Sequence, residues 1–165
     1  MVAEHAEGPS RTGRWVLLAY RLPREPSTPR IAVWRKVRRL GVGQLLDGLV
    51  ALPLDARNRE QLEWVADAVV ESGGQATIWL GRPGSRLEER AIIGEMASAI
   101  AAEYRAVIDD VIAAHGAEPA ARRRTLGRLR RELHRIRQRD YFPPPEGDQA
   151  RRAVESLAAL QEVPT

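Results

Sequence analysis

The order of apolar and turn-forming segments over residues 14–80 limits the choice of fold more strongly than any other feature of this chain. Residues 14–22 contain a nearly unbroken apolar run, which predicts a strand in the middle of a sheet. Pro23 ends that strand, because proline has no N–H group to donate to a sheet ladder. Asp47-Gly48 stands between two further apolar runs, and this dipeptide predicts a tight β-hairpin because glycine readily adopts a positive φ.

Helical patterns fill the spaces between these strands. The basic segment after the prolines has Ser27 or Thr28 as its candidate N-cap and Gly41 as a natural C-terminal cap. The resulting order is β-α-β-β-α-β, which is the ferredoxin-like pattern. The expected elements are a strand at 14–22, a helix from 27 or 28 to about 40, strands at 42–46 and 49–54, a helix at 57–72 and a strand at 75–80.

Beyond residue 84 the apolar residues recur at helical spacing, which predicts a C-terminal helical extension of about three helices. In the second of these helices the apolar residues form a narrow seam of the kind that packs against another helix. We therefore expect an α+β protein with a flexible tail at 1–13, a ferredoxin-like domain at 14–84 and the helical extension at 85–165 packed on it. The expected helices span 87–114, 120–139 and 148–160, and the seam consists of Leu126, Leu129, Leu133 and Ile136.

The charge balance favours an anionic partner. The formal net charge is +4, and of the 26 basic residues only Lys36 is a lysine. Arginine presents a planar fork suited to phosphates and carboxylates, so this composition favours nucleic acid, although a solvated basic surface is the simpler alternative. The chain has no cysteine, no apolar leader and no apolar run long enough to cross a membrane. We therefore expect a cytoplasmic protein without a membrane span.

The first predicted helix carries a basic face. Arg35, Lys36, Arg38 and Arg39 fall on one side of a helical wheel, opposite an apolar side. They form a candidate phosphate-binding surface, and an ordinary amphipathic helix with a solvated face is the alternative. Arg30 falls near the apolar side, where we expect a salt bridge to Glu25 or Asp47.

A denser basic cluster lies at residues 122–139. Like charges one helical turn apart repel each other, so nine arginines in this segment call for partners. Those partners are DNA or acidic residues of the same chain, such as Glu103, Asp109 and Asp110. Because the arginines surround the apolar seam, the whole set cannot face one ligand. The candidate DNA-binding residues here are Arg122, Arg123, Arg124, Arg128, Arg131 and Arg135.

Residues that would support catalysis are missing from the sequence. The three histidines are far apart, and no phosphate-binding loop, nucleophile elbow or metalloprotease motif occurs. We therefore expect no enzyme activity, no cofactor and no metal site. The four tryptophans, Trp15, Trp34, Trp64 and Trp79, are expected in the core rather than in a base-stacking surface.

The segments WVLLAYRLP, PSTPRIAVWRKVRRLG and GLVALP, all within residues 15–53, resemble the N-terminal domain of the ChrB chromate-resistance regulators. The segment LGRLRRELHRIRQRDYF at 126–142 is a weaker match to the same family. The resemblance implies a DNA-binding transcriptional regulator. The family's second domain, which is implicated in oxyanion sensing, has no counterpart before Thr165, so we expect DNA binding without that sensing domain.

Two alternatives to a DNA-binding regulator remain open. The same β-α-β-β-α-β segment is similar to the Cas2-like module, which commonly dimerises through its sheet, so we also expect a homodimer. One alternative function is a non-enzymatic interaction module whose basic helix packs on acidic protein surfaces. A metal-dependent nuclease is the other. Such nucleases typically carry an aspartate at the end of the first strand, whereas Tyr20 is followed here by Arg21.

Overall fold

The computed structural model describes residues 13–161. The tail expected at residues 1–13 therefore lies, except for Gly13, outside the described residues. The chain divides into two compact units, Met1–Gly94 and Glu95–Thr165. In chain order the elements are β1 Trp15–Arg21, α1 Ser27–Leu40, β2 Gly43–Leu46, β3 Leu49–Pro53, α2 Ala56–Glu71, β4 Gln75–Gly81, α3 Arg86–Ala114, α4 Pro119–Arg137 and α5 Pro145–Ala159.

The first unit contains one four-stranded sheet with the strand order β2-β3-β1-β4. Every neighbouring pair is antiparallel, and β1 lies between β3 and β4. Leu18 of β1 is directly opposite Val50 on one side and Ile78 on the other. Strands and helices therefore follow each other in the predicted order, and β1 is a central strand, as its continuous apolar sequence predicts.

The hairpin predicted at Asp47-Gly48 joins β2 and β3. Gly48 has a φ of 77°, a conformation that side chains disfavour, and its carbonyl accepts a 2.7 Å hydrogen bond from the Tyr20 N–H. A Cβ atom at Gly48 would lie 2.3 Å from the Tyr20 carbonyl oxygen, so only glycine fits. The turn thereby anchors the hairpin to the end of β1.

Apolar residues of the sheet and helices form the core of the first unit. Strand residues that share one face of the sheet are fully buried, as are Val33 and Val37 of α1. The first turn of α2 is fixed by Asp55, whose carboxylate accepts a 2.6 Å hydrogen bond from the Asn58 N–H. The buried apolar residues of the strands and of α2 include Val16, Leu18, Val50, Leu52, Leu62, Val65 and Val69.

The prediction that all four tryptophans are core residues is wrong for three of them. Trp15 is 4% exposed, whereas Trp34 is 52%, Trp64 64% and Trp79 64% exposed. Trp34 follows Val33 directly and so lies about 100° around α1 from the buried Val33/Val37 line. Hydrophobicity alone predicts a core position for Trp34, whereas the helical period places it beside the core.

The second unit is built from α3 from Glu95 onward, together with α4 and α5. Their buried residues form one cluster, in which Tyr104, Leu129, Ile136 and Leu157 are among the largest fully buried side chains. Three of the four seam residues predicted on α4 are buried, and Leu133 is half-buried, which confirms the seam. Across residues 13–161 no helix combines the length and apolar character needed to cross a membrane.

Candidate nucleic-acid interface

Helix α1 presents a basic surface because its apolar residues occupy a narrow line. Val33 and Val37 are buried, and the rest of the helix surface is mostly exposed. The helix contains five basic and no acidic residues. Gly41 ends it with a φ of 69°, and its N–H donates a hydrogen bond of 3.1 Å to the Arg38 carbonyl. Cations in the last turn, Arg38 and Arg39, also interact favourably with the negative end of the helix dipole.

The four predicted phosphate-binding residues lie together on this surface, which we call the α1 basic face: Arg35, Lys36, Arg38 and Arg39. All four are exposed. None forms an ion pair with a carboxylate anywhere in residues 13–161. The α1 basic face therefore carries four cations that the described part of the chain leaves uncompensated.

Two exposed tryptophans flank the α1 basic face. Trp34 lies on one side, with the Arg38 guanidinium carbon 4.9 Å from its ring centroid, within cation–π range. Trp64 of α2 lies on the other side, in a groove of about 280 Å³. The remaining residues lining that groove are Lys36, Arg39, Leu40, Gln61 and Val65. Sequence reasoning missed both tryptophans as surface residues, and their wheel positions beside Val33 and Val65 are the signal that would have found them.

A wider groove of about 700 Å³ lies on the Trp34 side of α1. Tyr20, Arg30, Trp34 and Asp47 are among the residues that line it. Burial raises the pKa of the Tyr20 phenol, and the Asp47 carboxylate raises it further. Arg30 is exposed and pairs with neither Asp47 nor Glu25 in the described residues, so the predicted salt bridge is wrong. Arg30 instead adds a fifth cation beside the α1 basic face.

The arginines predicted on α4 are distributed differently. Arg124, Arg128, Arg131 and Arg135 follow each other at spacings of four, three and four and share the outer side of the helix. Arg128 pairs with Asp110 at 3.0 Å, and Arg135 pairs with Glu132 at 2.6 Å. We call these four residues the α4 outer face.

Three further arginines of the cluster lie away from the α4 outer face. Arg122 is half-buried and donates a 2.9 Å hydrogen bond to the Ala117 carbonyl in the turn before α4. Arg139, beyond the helix, pairs with Glu103 of α3, and Arg123 is exposed. Same-chain carboxylates therefore neutralise part of the cluster, as one of the two sequence-based alternatives predicts.

A cleft of about 460 Å³ in the second unit has a different character from the α1 basic face. Tyr104 and Asp140 both line it, and the Tyr104 hydroxyl donates a 2.9 Å hydrogen bond to an oxygen of Asp140. Burial raises the pKa values of both groups, and the hydrogen bond from Tyr104 partly offsets the rise at Asp140. Arg137 and Arg151 also line the cleft, but Arg151 is paired with Glu155 and Asp148. The Tyr104–Asp140 pair links α3 to the segment after α4, which is a structural role.

Among residues 13–161, carboxylates do not gather into a metal-binding cluster at the end of β1. Asp47 lines the same groove as Tyr20, but within the part of the chain that the structure describes no three His, Asp or Glu side chains come together in an arrangement suited to a metal ion. The nuclease alternative therefore gains no ligand set from the described residues.

Comparisons with known proteins give one family and one similar structure. The family model described as "Protein ChrB, N-terminal" matches residues 30–120, which is more than half of the chain. The chain is also similar to the solved structure of the uncharacterized protein Rv0674 from Mycobacterium tuberculosis, with a TM-score of 0.55 and 16% sequence identity over 92% of this chain. The match spans 62% of that structure's chain, and at this identity the likeness concerns the fold. No curated protein matches the sequence.

Proposed function

The chain belongs to the ChrB N-terminal family, and from this premise we propose that it is a cytoplasmic DNA-binding regulatory module that contacts phosphates through the α1 basic face. The observation that carries the proposal is the absence, within residues 13–161, of any carboxylate paired with Arg35, Lys36, Arg38 or Arg39. The helix lies inside the matched range except for its first three residues.

Phosphate binding explains why these cations cluster without counter-charges. Four like charges on consecutive turns repel each other, and each unfavourable pair costs a few tenths of a kcal/mol in a helix. A polyanion removes that repulsion, and release of its condensed counterions supplies binding free energy. The forked guanidinium groups of arginine also fit phosphate oxygens better than lysine ammonium groups do.

The architecture of the first unit supports the same assignment. The order β-α-β-β-α-β, the strand order β2-β3-β1-β4 and the antiparallel pairing of all neighbours agree with a ferredoxin-like domain, to which we assign residues 14–84. Helix α1 packs beside α2 with Val33 and Val37 buried, which fixes the direction of its basic face.

A salt titration tests the proposal. We expect duplex DNA to bind with log K falling against log salt with a slope of about −4, because four neutralised phosphates contribute about 0.9 each. Replacing Arg35, Lys36, Arg38 and Arg39 with glutamine should remove most of the slope. It should leave the melting temperature unchanged, since exposed charges contribute little to stability. Fluorescence anisotropy with labelled DNA measures the affinity and the slope.

The matched control removes the same charge from other exposed positions. Glutamine at Arg90, Arg130, Arg137 and Arg152 also takes the formal net charge from +4 to 0. We expect this control to keep most of the slope. If both variants lose affinity equally, net charge rather than the α1 basic face carries binding, and the proposal is wrong.

A second candidate function is a dimerisation or protein-interaction module. It is favoured by the exposed apolar side chains of β2 and β4, which include Leu46 at 68% and Trp79 at 64%. A homodimer is compatible with DNA binding, because twofold proteins commonly read paired half-sites. Sedimentation velocity of the purified protein without DNA separates the two: a stable dimer that binds no DNA at low salt favours this candidate.

We expect no catalysis. Incubation with Mg²⁺ or Mn²⁺ should leave single- and double-stranded DNA and RNA intact. The nuclease alternative would replace our proposal if metal-dependent cleavage co-purified with the protein and disappeared when Asp47, which lines the groove at the end of β1, was replaced by asparagine.

A further inference from the structure

Two exposed indoles on the same surface as the α1 basic face require an explanation that phosphate binding does not provide. Phosphate oxygens bind to cations and need no aromatic neighbour. An indole that remains more than half exposed forfeits much of the free energy that its burial would supply. Trp34 and Trp64 nevertheless flank the cations at 52% and 64% exposure. Their position suits a ligand with flat, apolar faces beside its negative charges.

The two tryptophans are placed on either side of the cations. On a helical wheel, Trp34 points to one side of α1, and Lys36 and Arg39 point to the other, towards α2. Lys36, Arg39 and Trp64 line one groove together. The surface therefore runs from Trp34 across the cations to Trp64.

We propose that this surface binds unpaired nucleotides, with phosphates on the α1 basic face and bases stacked on Trp34 and Trp64. The inference rests on the proposed nucleic-acid function and specifies its ligand. Aromatic side chains beside a positively charged groove are the arrangement that binds single strands, since every base has a face on which an indole can stack. In a paired duplex those faces are already stacked, and reaching them requires unstacking of a base step.

The charge pattern favours nucleic acid over a second copy of the chain. Helix α1 has no acidic residue, so two copies meeting through α1 would bring like charges together. Acidic residues do occur on α2, where Glu60 and Asp67 are exposed on the outer side of the helix, near Trp64. They bound the nucleotide-binding surface on that side. A self-association that pairs α1 with α2 of another copy is the competing outcome that the experiment separates.

Trp79, the third exposed tryptophan, lies on a different face of the sheet from Trp34. Trp79 is directly opposite Leu17, and residues opposite each other across a strand pair share a sheet face. Tyr20, which lines the groove with Trp34, is three residues along β1 from Leu17 and so points to the other face. Trp79 has the same exposed fraction as Trp64 but lies on the opposite face of the sheet from α1, which makes Trp79→Ala a matched control.

The experiment compares four labelled ligands of about 15 nucleotides, a length within the range of known single-strand sites. These are a mixed-sequence single strand, its duplex, the duplex with an unpaired central bubble, and an abasic strand that keeps the phosphates. We expect the single strand and the bubble to bind more tightly than the duplex and the abasic strand. Quenching of tryptophan fluorescence should accompany binding of the single strand and not of the abasic strand.

Variants assign the effect to the two indoles. Trp34→Ala and Trp64→Ala should each weaken single-strand binding by about 5- to 150-fold, the range for loss of one stacked base. Duplex binding should change little. Trp34→Phe should recover part of the loss, because it restores a ring for stacking and for the Arg38 contact. Trp79→Ala should bind like the parent protein, and melting curves should show that all variants are folded.

The outcomes are distinguishable. Suppose that the tryptophan variants bind every ligand as the parent does and that the abasic strand binds as tightly as the normal one. The surface then binds phosphates alone, so this inference is wrong and the proposed function stands. If the parent binds no nucleic acid at low salt, both are wrong. If Trp34→Ala and Trp64→Ala reduce self-association in sedimentation velocity and leave nucleic-acid affinity unchanged, the surface is an interface between copies of this chain, which also overturns the inference.

Discussion

Helices α1 and α4 have the same construction but make different use of their charges. Each has a buried apolar line and an arginine-rich outer side. On α4 two of the four outer-face arginines pair with carboxylates of α3 or of α4 itself. On α1 none of the four pairs with a carboxylate in residues 13–161, and two exposed tryptophans lie beside them.

The difference shows that arginine content is a poor guide to a binding surface. Helix α4 holds eight arginines and α1 holds four together with a lysine, so counting alone would rank α4 first. The two helices differ in whether acidic side chains lie close enough to pair with their arginines. Helix α3 places Glu103 and Asp110 beside the segment of α4 and its C-terminal turn, whereas α1 neither contains an acid nor pairs with one on α2.

The largest effect expected on stability is on the buried side of α4. Leu129 is fully buried, so Leu129→Ala should lower the free energy of unfolding by about 2–5 kcal/mol, through lost apolar burial and the cavity that remains. Leu133→Ala should cost less because Leu133 is half-buried. Urea denaturation measures both. Leu87→Ala, at a leucine that is 71% exposed, is the control and should change stability by less than about 0.5 kcal/mol. Equal stability of the Leu129 variant and the control would contradict the packed core of the second unit.

A smaller effect is expected at the polar contact between α3 and the end of the α4 segment. Tyr104→Phe removes the donor to Asp140 and leaves a partly buried carboxylate with fewer hydrogen bonds, which should cost about 1–2 kcal/mol near neutral pH. The folded-state pKa of the Tyr104 phenol is raised, so the folded protein keeps its proton when the unfolded chain loses it. Tyr104 therefore contributes stability that is present below pH about 10 and lost as the pH rises above it.

The pH dependence provides the control for Tyr104→Phe. The variant has no Tyr104 hydroxyl to titrate, so it should lose less stability at alkaline pH. The difference in free energy of unfolding between the parent and the variant should therefore shrink above pH about 10. Denaturation at a series of pH values measures this. A difference that stays constant from pH 7 to 11 would mean that the Tyr104 hydroxyl does not titrate as a buried group.

The sequence was sufficient to predict the order of the elements. Asp47-Gly48, the apolar run of β1 and Gly41 as a C-terminal cap were all identified correctly, since each depends on local backbone preferences. Boundaries differ by only a few residues. The N-terminus of α5 is the largest shift, because Pro145 occupies its first position, where a missing N–H costs nothing.

The surface was harder to predict because it depends on the relation between elements. The positions of Arg35, Lys36, Arg38 and Arg39 followed from the helical period, whereas the exposure of Trp34 and Trp64 did not follow from their hydrophobicity. Which arginines of the α4 segment are paired depends on how α3 lies beside them, and no local pattern encodes that. Of the proposed acidic partners, Glu103 and Asp110 form ion pairs and Asp109 forms none in the described residues.

A further prediction ranks the ion pairs of the α4 segment. Glu103→Gln leaves Arg139, whose side chain is 20% exposed, without its carboxylate, and should cost about 1 kcal/mol. Asp110→Asn removes the partner of a half-exposed Arg128 and should cost less than about 0.5 kcal/mol, because solvent screens that pair. Thermal melting at low and moderate salt measures both. The ranking would be contradicted if the Asp110 variant were the less stable of the two.

The smallest expected effect compares paired with unpaired arginines on the α4 outer face. Arg124 and Arg131 lie on the same side of the helix as Arg128 and Arg135 but form no ion pair in the described residues. Glutamine at Arg124 and Arg131 should weaken duplex DNA binding about threefold, because both cations are available to phosphates. Glutamine at Arg128 and Arg135 removes the same charge but should weaken binding less, since carboxylates already compensate those two. Anisotropy of both double variants at one salt concentration decides this. Equal losses of DNA affinity in the two double variants would show that an ion pair within the chain does not keep an arginine from binding DNA. A loss of affinity as large as that of the α1 basic-face variant would show that α4 binds phosphates as strongly as α1 does.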